Sequence, residues 1–440
     1  MTGAVIFIQE DLEISDLQVQ LYAGTQHLLA LPGSMVAGRT SDYIGRRYTI
    51  IIASITFLLG SLLMGYGPSY LILMIGNCIS GFGVGFALHR DFTSFFQRPF
   101  HLSPRTFHEH RILLAFIANY LFEKLTLRLG WRMMVAVPAV PSLCLIILML
   151  KLVESPRWLV MQGCVGEARK VILLVSNSKE EAEQHLREIK GVVGIDENCT
   201  QDVVEVPKKI RSGKGAMKEL FYEDSPAMRR ILIAAIGVHL FIRIGGSGGI
   251  LLYSPRVFER TGITDKSKLM LATVGMGISQ TVFTFISAFL LDRVGRRILL
   301  LISSGGAVVY LLGLGVCMTM VEQYSKEKQL WAISFTIVFT YIFLAFVCIG
   351  MGPVTWVYSS EIFSLRLRAQ GLGVCVIVNR ITNVAVVTSF VSIYKKITIG
   401  GSFFMYSGIT ALAWWFYYSF LPETKGRSLE DMETIFGRNS

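Results

Sequence analysis

Few polar side chains fall deep inside the apolar runs of this chain, and those few could meet a ligand. Asn379 can donate and accept hydrogen bonds to hydroxyl groups, and an amide at lipid depth is costly without a partner. Arg243 is costlier: an unpaired guanidinium at mid-bilayer has to face a cavity, so it reads either as a ligand-binding side chain or as a damaged site. Gly352–Pro353 has to interrupt another run, because proline frees backbone carbonyls that are tolerated where they line a cavity. Trp356 follows one turn later, as a cavity-wall aromatic or an interfacial anchor. Nothing points to covalent chemistry: the sequence holds no nucleophile elbow, no paired acid and base, and no metal-ligand spacing. His108–Glu109–His110 lacks the convergent ligands that a metal site needs. The expectation is therefore no enzyme, no cofactor and no metal.

Positioning such side chains takes membrane-length elements. The 440 residues are 52% hydrophobic and 17% charged, with mean hydropathy +0.53; a soluble chain carries about 25% charged residues. The net charge of +11 lies mostly in short loops beside apolar runs, without an aromatic-basic reading surface. That pattern sets membrane orientation and excludes a nucleic-acid partner. The seven cysteines are scattered and form no C-x-x-C, so they read as small core residues.

Spans of roughly 20 apolar residues are expected at Leu17–Ala37, Tyr48–Gly65, Leu71–Leu88, Ile112–Leu127, Met133–Leu152, Ile231–Tyr253, Leu269–Leu291, Ile298–Met320, Trp331–Tyr358, Gly371–Ile393 and Gly401–Leu421. An apolar stub at Ala4–Ile8 is expected to be part of an incomplete first span. The organisation reads as a first helix bundle at 1–152, a cytosolic linker with short helices at 153–230, a second bundle at 231–421 and a cytosolic tail at 422–440. Basic loops place the connections after the second span, between the bundles and at the C-terminus on the cytoplasmic side. GRTSDYIGRR at 38–47 returns as LDRVGRR at 291–297, with Asp42 and Asp292 separated by 292 − 42 = 250 positions. Such repeated halves mark many secondary transporters, which hold their site at the interface between them.

An ordered series of motifs joins these observations: GRTSDYIGRR at 38–47, GFGVGFAL at 81–88, ESPRWLVMQG at 154–163, LLYSPRVF at 251–258, LDRVGRR at 291–297, GPVTWVYSSEIFSLRLRAQG at 352–371, NR at 379–380 and LPETKGRSLEDM at 421–432. The chain resembles the sugar porters of the major facilitator superfamily, and within them the plant polyol and monosaccharide proton symporters. The resemblance implies an all-α membrane protein of two six-helix bundles, carrying a sugar or sugar alcohol by alternating access. It implies that Trp356 faces the substrate and stacks on its C–H face, with Asn379, Gly352 and Pro353 nearby and Arg243 at a substrate position. It also implies a cytosolic latch of the outward-facing state. Its partners would be Asp42 with Arg46 and Arg47, Glu154 with Arg157, Asp292 with Arg296 and Arg297, and Glu361 with Arg366. The same charges could instead only set topology. Arg380 can sit near a span end. The expected location is the plasma membrane ahead of the vacuolar membrane.

The sequence also departs from that pattern. The resemblance implies an Asp in the opening half of the first span and an Arg that partners it. The first is missing and Gly76–Asn77 stands at the second, so protons are a possible partner whose expected pair is absent. A polar cluster implied in the seventh span reads Ile242, Arg243 and Gly248. Residues 89–111 hold four His, four Arg and five Phe in 23 positions, a composition that cannot cross lipid and that fits a shifted frame or a misplaced splice boundary. The alternative function is a non-transporting relative, sensor-like or defective.

Overall fold

The structure is a computed structural model that describes residues 4–87, 104–176, 178–193, 201–204, 226–260, 265–323, 330–363, 367–426 and 435–436. Arg366 lies outside the described residues, and the side chains of Asp42, Arg157 and Asp292 lie outside those described.

The described residues form helices and no strand beyond one isolated bridge, Cys164 with Val203. The first half holds α1 (Ala4–Leu12), α2 (Asp16–Ile44), α3 (Arg46–Tyr66), α4 (Tyr70–Ala87), α5 (Pro104–Glu123), α6 (Leu127–Ala136) and α7 (Ala139–Lys151). Three short helices follow: α8 (Pro156–Met161), α9 (Val165–Val175) and α10 (Lys179–Val193). Their apolar faces close on a small core of their own, including Val160, Val165, Ala168, Ile172 and Leu186. The second half holds α11 (Pro226–Ile244), α12 (Ser247–Arg260), α13 (Lys266–Val294), α14 (Arg296–Gln323), α15 (Leu330–Phe346), α16 (Gly352–Ile362), α17 (Arg368–Ile397) and α18 (Ile399–Phe420). The halves meet along α2 against α17 and α5 against α13.

Seven of the described helical stretches are long and apolar enough to cross a membrane, and Tyr70–Phe86 and Leu113–Glu123 are apolar but shorter. The expected spans at α2 and α18 are helices of 29 and 22 residues. Neither is among the seven. Gln18, Gln20, Gln26 and His27 dilute α2, and tryptophan, tyrosine, glycine and serine dilute α18. Residues 104–111, which the composition sets apart from any span, form the start of α5 and run unbroken into the expected apolar run. Two other expected spans are interrupted. Ile231–Tyr253 breaks at Gly245–Gly246, where φ of Gly246 is +82°. The run through Pro353 passes through a π-helical turn, Val347–Met351, before resuming at Gly352.

Candidate functional site

Each bundle turns its repeated loop in the same way. Gly45 and Gly295 take φ of +101° and +103°, a region that costs an L-residue strain. A Cβ on Gly45 would lie 2.5 Å from Glu154 Oε2, and one on Gly295 would lie 2.9 Å from Glu423 Oε2. Those carboxylates fill the space because they cap the next helix. Glu154 accepts from the backbone N–H of Arg46 at 2.9 Å and of Arg47 at 3.2 Å. Glu423 accepts from Arg296 N–H at 2.8 Å and Arg297 N–H at 3.0 Å. The second arginine of each pair caps the last helix of its own bundle: Arg47 donates to the carbonyls of Met149 and Leu150, and Arg297 to that of Tyr418. Arg46 reaches Ser155 Oγ at 3.3 Å, while Arg296 forks onto Glu361 at 2.8 to 3.1 Å. Of the expected latch residues, the structure thus joins Glu154 to Arg46 and Arg47, and Glu361 to Arg296, each pairing within one half. Glu423 was not read from the sequence as a partner, although it sits in the quoted C-terminal motif.

On the opposite face the charged contacts cross between halves. Asp16, first residue of α2, meets Lys395 of α17 and lies 3.3 Å from Arg256 of α12. Gln9 donates to Asp16 at 3.0 Å and accepts from Arg256. Lys266 meets Glu10 at 2.5 Å, Ser267 donates to Glu123 at 3.2 Å, and Ser392 donates to Gln20 at 3.0 Å. The Lys395 hydrogen bond, helped by Gln9 and Arg256, holds the Asp16 carboxyl below its ordinary value against the opposing effect of burial.

Between these two faces lies a polar cluster. His239 and Arg243 stand one turn apart at the end of α11, just before the break, and Asn379 and Asn383 one turn apart on α17. Arg243 Nε donates to Asn379 Oδ1 at 3.1 Å. Asn379 Nδ2 lies 3.4 Å from His239 Nδ1, so that nitrogen accepts and a neutral ring carries its proton on Nε2. The His239 ring meets Trp356 edge-on, with centroids 4.8 Å apart and planes at 84°, and Trp356 stays 36% exposed. Asn383 is buried, and its Oδ1 has no partner among the described residues. A Cβ on Gly248 would lie 2.4 Å from that oxygen and 3.8 Å from Arg243 Nη1, so glycine leaves room beside both. Gln280 of α13 is likewise buried with an unpartnered Oε1 among the described residues. Discontinuous helices of this kind line the central sites of carriers.

Trp356, Asn379 and Arg243 are thus brought together, and Gly352 and Pro353 lie one turn before Trp356 at the start of α16. The backbone around the π turn is occupied by hydroxyls instead of opening onto a cavity: Ser287 donates to Ile349 O at 2.6 Å, Thr355 to Met351 O at 2.5 Å, and Ser303 Oγ accepts from Met351 N–H at 2.9 Å. Arg380 does not mark a span end; its Nη1 lies 3.3 Å from Nδ1 of His27 on α2, across the two halves. His27, His239, Asn383 and Gln280 were not read as site residues. The i, i+4 spacing of His239 with Arg243 and of Asn379 with Asn383 is the signal that could have found two of them. Asn77, where an arginine is implied, is buried and donates to Tyr22 O at 2.6 Å.

Residues 110–436 match the family described as sugar (and other) transporter, and residues 1–89 match the major facilitator superfamily. The uncovered stretch between them coincides with the divergent segment. Probable polyol transporter 3 of Arabidopsis thaliana is 51% identical over 444 residues, covering 99% of this chain and 87% of its own length. Polyol transporter 5 of the same plant is 45% identical over 443 residues, covering 99% and 82%. Among solved structures, the proton:xylose symporter XylE bound to 6-bromo-6-deoxy-D-glucose superposes with a TM-score of 0.76 at 22% identity, covering 99% of this chain and 94% of that one. An inward-open form of XylE from E. coli gives 0.77 at 21% identity, again over 99% and 94%. The fold is the major facilitator fold, in an integral membrane protein that crosses the bilayer several times.

Proposed function

Because the chain belongs to the sugar transporter family of the major facilitator superfamily, we propose that it carries a sugar or sugar alcohol across a membrane by alternating access. The central site would open to one side and then to the other as the halves rock. The observation that carries this reading is the cluster at the broken helix: Trp356 presents an aromatic face beside His239, while Asn379 and the unsatisfied Asn383 offer donors and acceptors to hydroxyls. The relatives named as polyol transporters support the substrate class. No chemical step is involved; the protein is a carrier and not an enzyme. Protons are the coupling ion in this reading only where uptake is concentrative and collapses with a protonophore. Asn77 offers no titrating group at the implied position. The proposed location is the plasma membrane, which imaging of a tagged chain against a vacuolar-membrane marker would test.

The direct test is uptake of radiolabelled sorbitol and xylose into yeast lacking its own carriers. Trp356→Ala should weaken apparent affinity roughly tenfold, the equivalent of about 1.4 kcal/mol, with surface abundance little changed. Equal loss of affinity and abundance would remove the binding role from Trp356. Correct membrane insertion with no flux of any sugar or polyol would overturn the carrier reading.

A further inference from the structure

The central cluster carries positive charge that no carboxylate among the described residues pairs with. The sequence ranges that supply the site, 17–37, 231–253, 269–291, 331–358 and 371–393, contain Arg243, Arg380, His27 and His239 and no Asp or Glu. Arg243 lies within electrostatic reach of Arg380, and both act on His27. Neither guanidinium lies within 4 Å of a carboxylate among the described residues; the described ion pairs all involve other residues. A guanidinium is always protonated, and holding two of them in a low-dielectric centre without counter-charge is costly. The arrangement lowers that cost when an anion enters.

The details around Arg243 give the anion a shape. Its Nε is fixed by Asn379 at 3.1 Å, which leaves the Nη groups as a fork, the geometry that meets a carboxylate through two parallel hydrogen bonds. The half-buried side chain stands beside the room that Gly248 leaves, and Asn383 Oδ1, a buried acceptor without a partner among the described residues, opens onto the same space. An acceptor there calls for a hydroxyl donor and not for a second carboxylate. The exposed face of Trp356 completes the set with a surface for C–H groups. One anionic end, hydroxyls along the chain and an apolar face together describe a polyhydroxy carboxylate.

We infer that this site takes a sugar acid, an aldonate or uronate whose carboxylate is held by Arg243 with Arg380 nearby, in preference to the neutral polyol of the same length. This rests on the carrier reading and replaces its neutral substrate with an acidic one.

The test uses the full-length chain, purified and reconstituted in liposomes, with equilibrium binding of radiolabelled gluconate and sorbitol in chloride-free and in chloride buffer. Gluconate is expected to bind at least tenfold more tightly than sorbitol in either buffer. Arg243→Gln should weaken gluconate at least ten times more than it weakens sorbitol, and Arg243→Lys should recover part of the difference. Sorbitol binding as tight as gluconate binding, or an Arg243→Gln effect equal on both, overturns the proposal while leaving the carrier reading intact. Sorbitol binding that appears only with chloride also overturns it, since a separate inorganic anion would then supply the charge. Binding of neither ligand to chain that unfolds cooperatively and stays monodisperse overturns both readings.

Discussion

Glu154 and Glu423 make the sharpest test of the repeated architecture, because each caps a helix that starts directly after a glycine, Gly45 or Gly295. Gly45 sits at the cap position of α3 and offers no side-chain acceptor, so the first N–H groups of α3 depend on a carboxylate 108 positions away. In Glu154→Ala those two N–H groups lose their acceptor, together with a favourable charge at the helix N-terminus. A lost N-cap costs about 1 kcal/mol, and the charge–dipole contribution adds about 0.3–1 kcal/mol at a partly exposed helix end. The third bond, from Ser155 N–H at 2.9 Å, brings the expected loss to about 2 kcal/mol. Glu423→Ala should lose a similar amount, since Arg296, Arg297 and Thr424 donate to Glu423 in the same way. The Gln variants keep an acceptor and lose only the charge, so each should cost about half. The two sites lie in different halves, so the double variant should be additive, at about 4 kcal/mol. Thermal unfolding of purified protein reads this as a shift on the order of 2–4 °C per single Ala variant, because the shift per kcal/mol shrinks with chain length. The reasoning is refuted if Glu154→Gln is as damaging as Glu154→Ala. It is also refuted if the Glu154 and Glu423 variants differ by more than about 1 kcal/mol, the size of a whole cap.

Three further outcomes follow from the same geometry. Gly45→Ala and Gly295→Ala should each lower stability by about 1–2 kcal/mol, since both the positive φ and the capping carboxylate oppose a Cβ; unchanged unfolding temperatures would count against it. A Cβ on Gly24 of α2 would lie 3.8 Å from Thr388 Cβ of α17, the usual Cβ separation in a disulfide. Gly24→Cys/Thr388→Cys should therefore cross-link under mild oxidant, block uptake and recover on reduction, whereas the parent chain under the same oxidant keeps its activity. Because pairing lowers the Asp16 carboxyl, the closed Asp16 clasp binds fewer protons than the opened one. Closure is thus favoured above the ordinary carboxylate value and fades as pH falls through the lowered one. Distances between fluorophores at the Asp16 end of α2 and the Lys395 end of α17 should lengthen in that acid range, and Asp16→Asn should remove the transition.

What could be read from the sequence followed the physics of burial in lipid. Long apolar runs, basic loops and the 250-residue offset of GRR-type turns carry architecture because hydrocarbon thickness and loop charge constrain them directly. Arg243 and Asn379 could be picked out because polar groups at that depth stand against the apolar background. His239 and Asn383 are marked in the sequence only by their i, i+4 spacing from Arg243 and Asn379, and ranking them needs the knowledge that α11 ends at Ile244 and that α17 packs against it. The break itself is visible only as a run of glycines, which lipid-spanning helices often contain. Pro353 signals an irregular turn in the sequence, but it does not reveal that Ser287, Ser303 and Thr355 occupy the backbone there. The partners of the loop arginines were harder still, because they depend on which helix ends meet. Glu154 and Glu423 occupy different offsets from their arginines, so no spacing rule links them.

The two faces of the molecule then assign different tasks to charge. On the face of the repeated loops the described pairs join elements of one half: Glu154 to the start of α3, Glu361 and Glu423 to the start of α14. They tie neighbouring helices together at one end of each bundle. On the opposite face, Asp16 with Arg256 and Lys395, and Glu10 with Lys266, join one half to the other. Rocking of rigid bundles has to break the second set and can leave the first intact. A carrier that opens its centre on the Asp16 face must therefore release Asp16 and can keep the contacts of Glu154. This ordering predicts that Asp16→Asn shifts the population of states, while Glu154→Ala lowers stability without favouring either state.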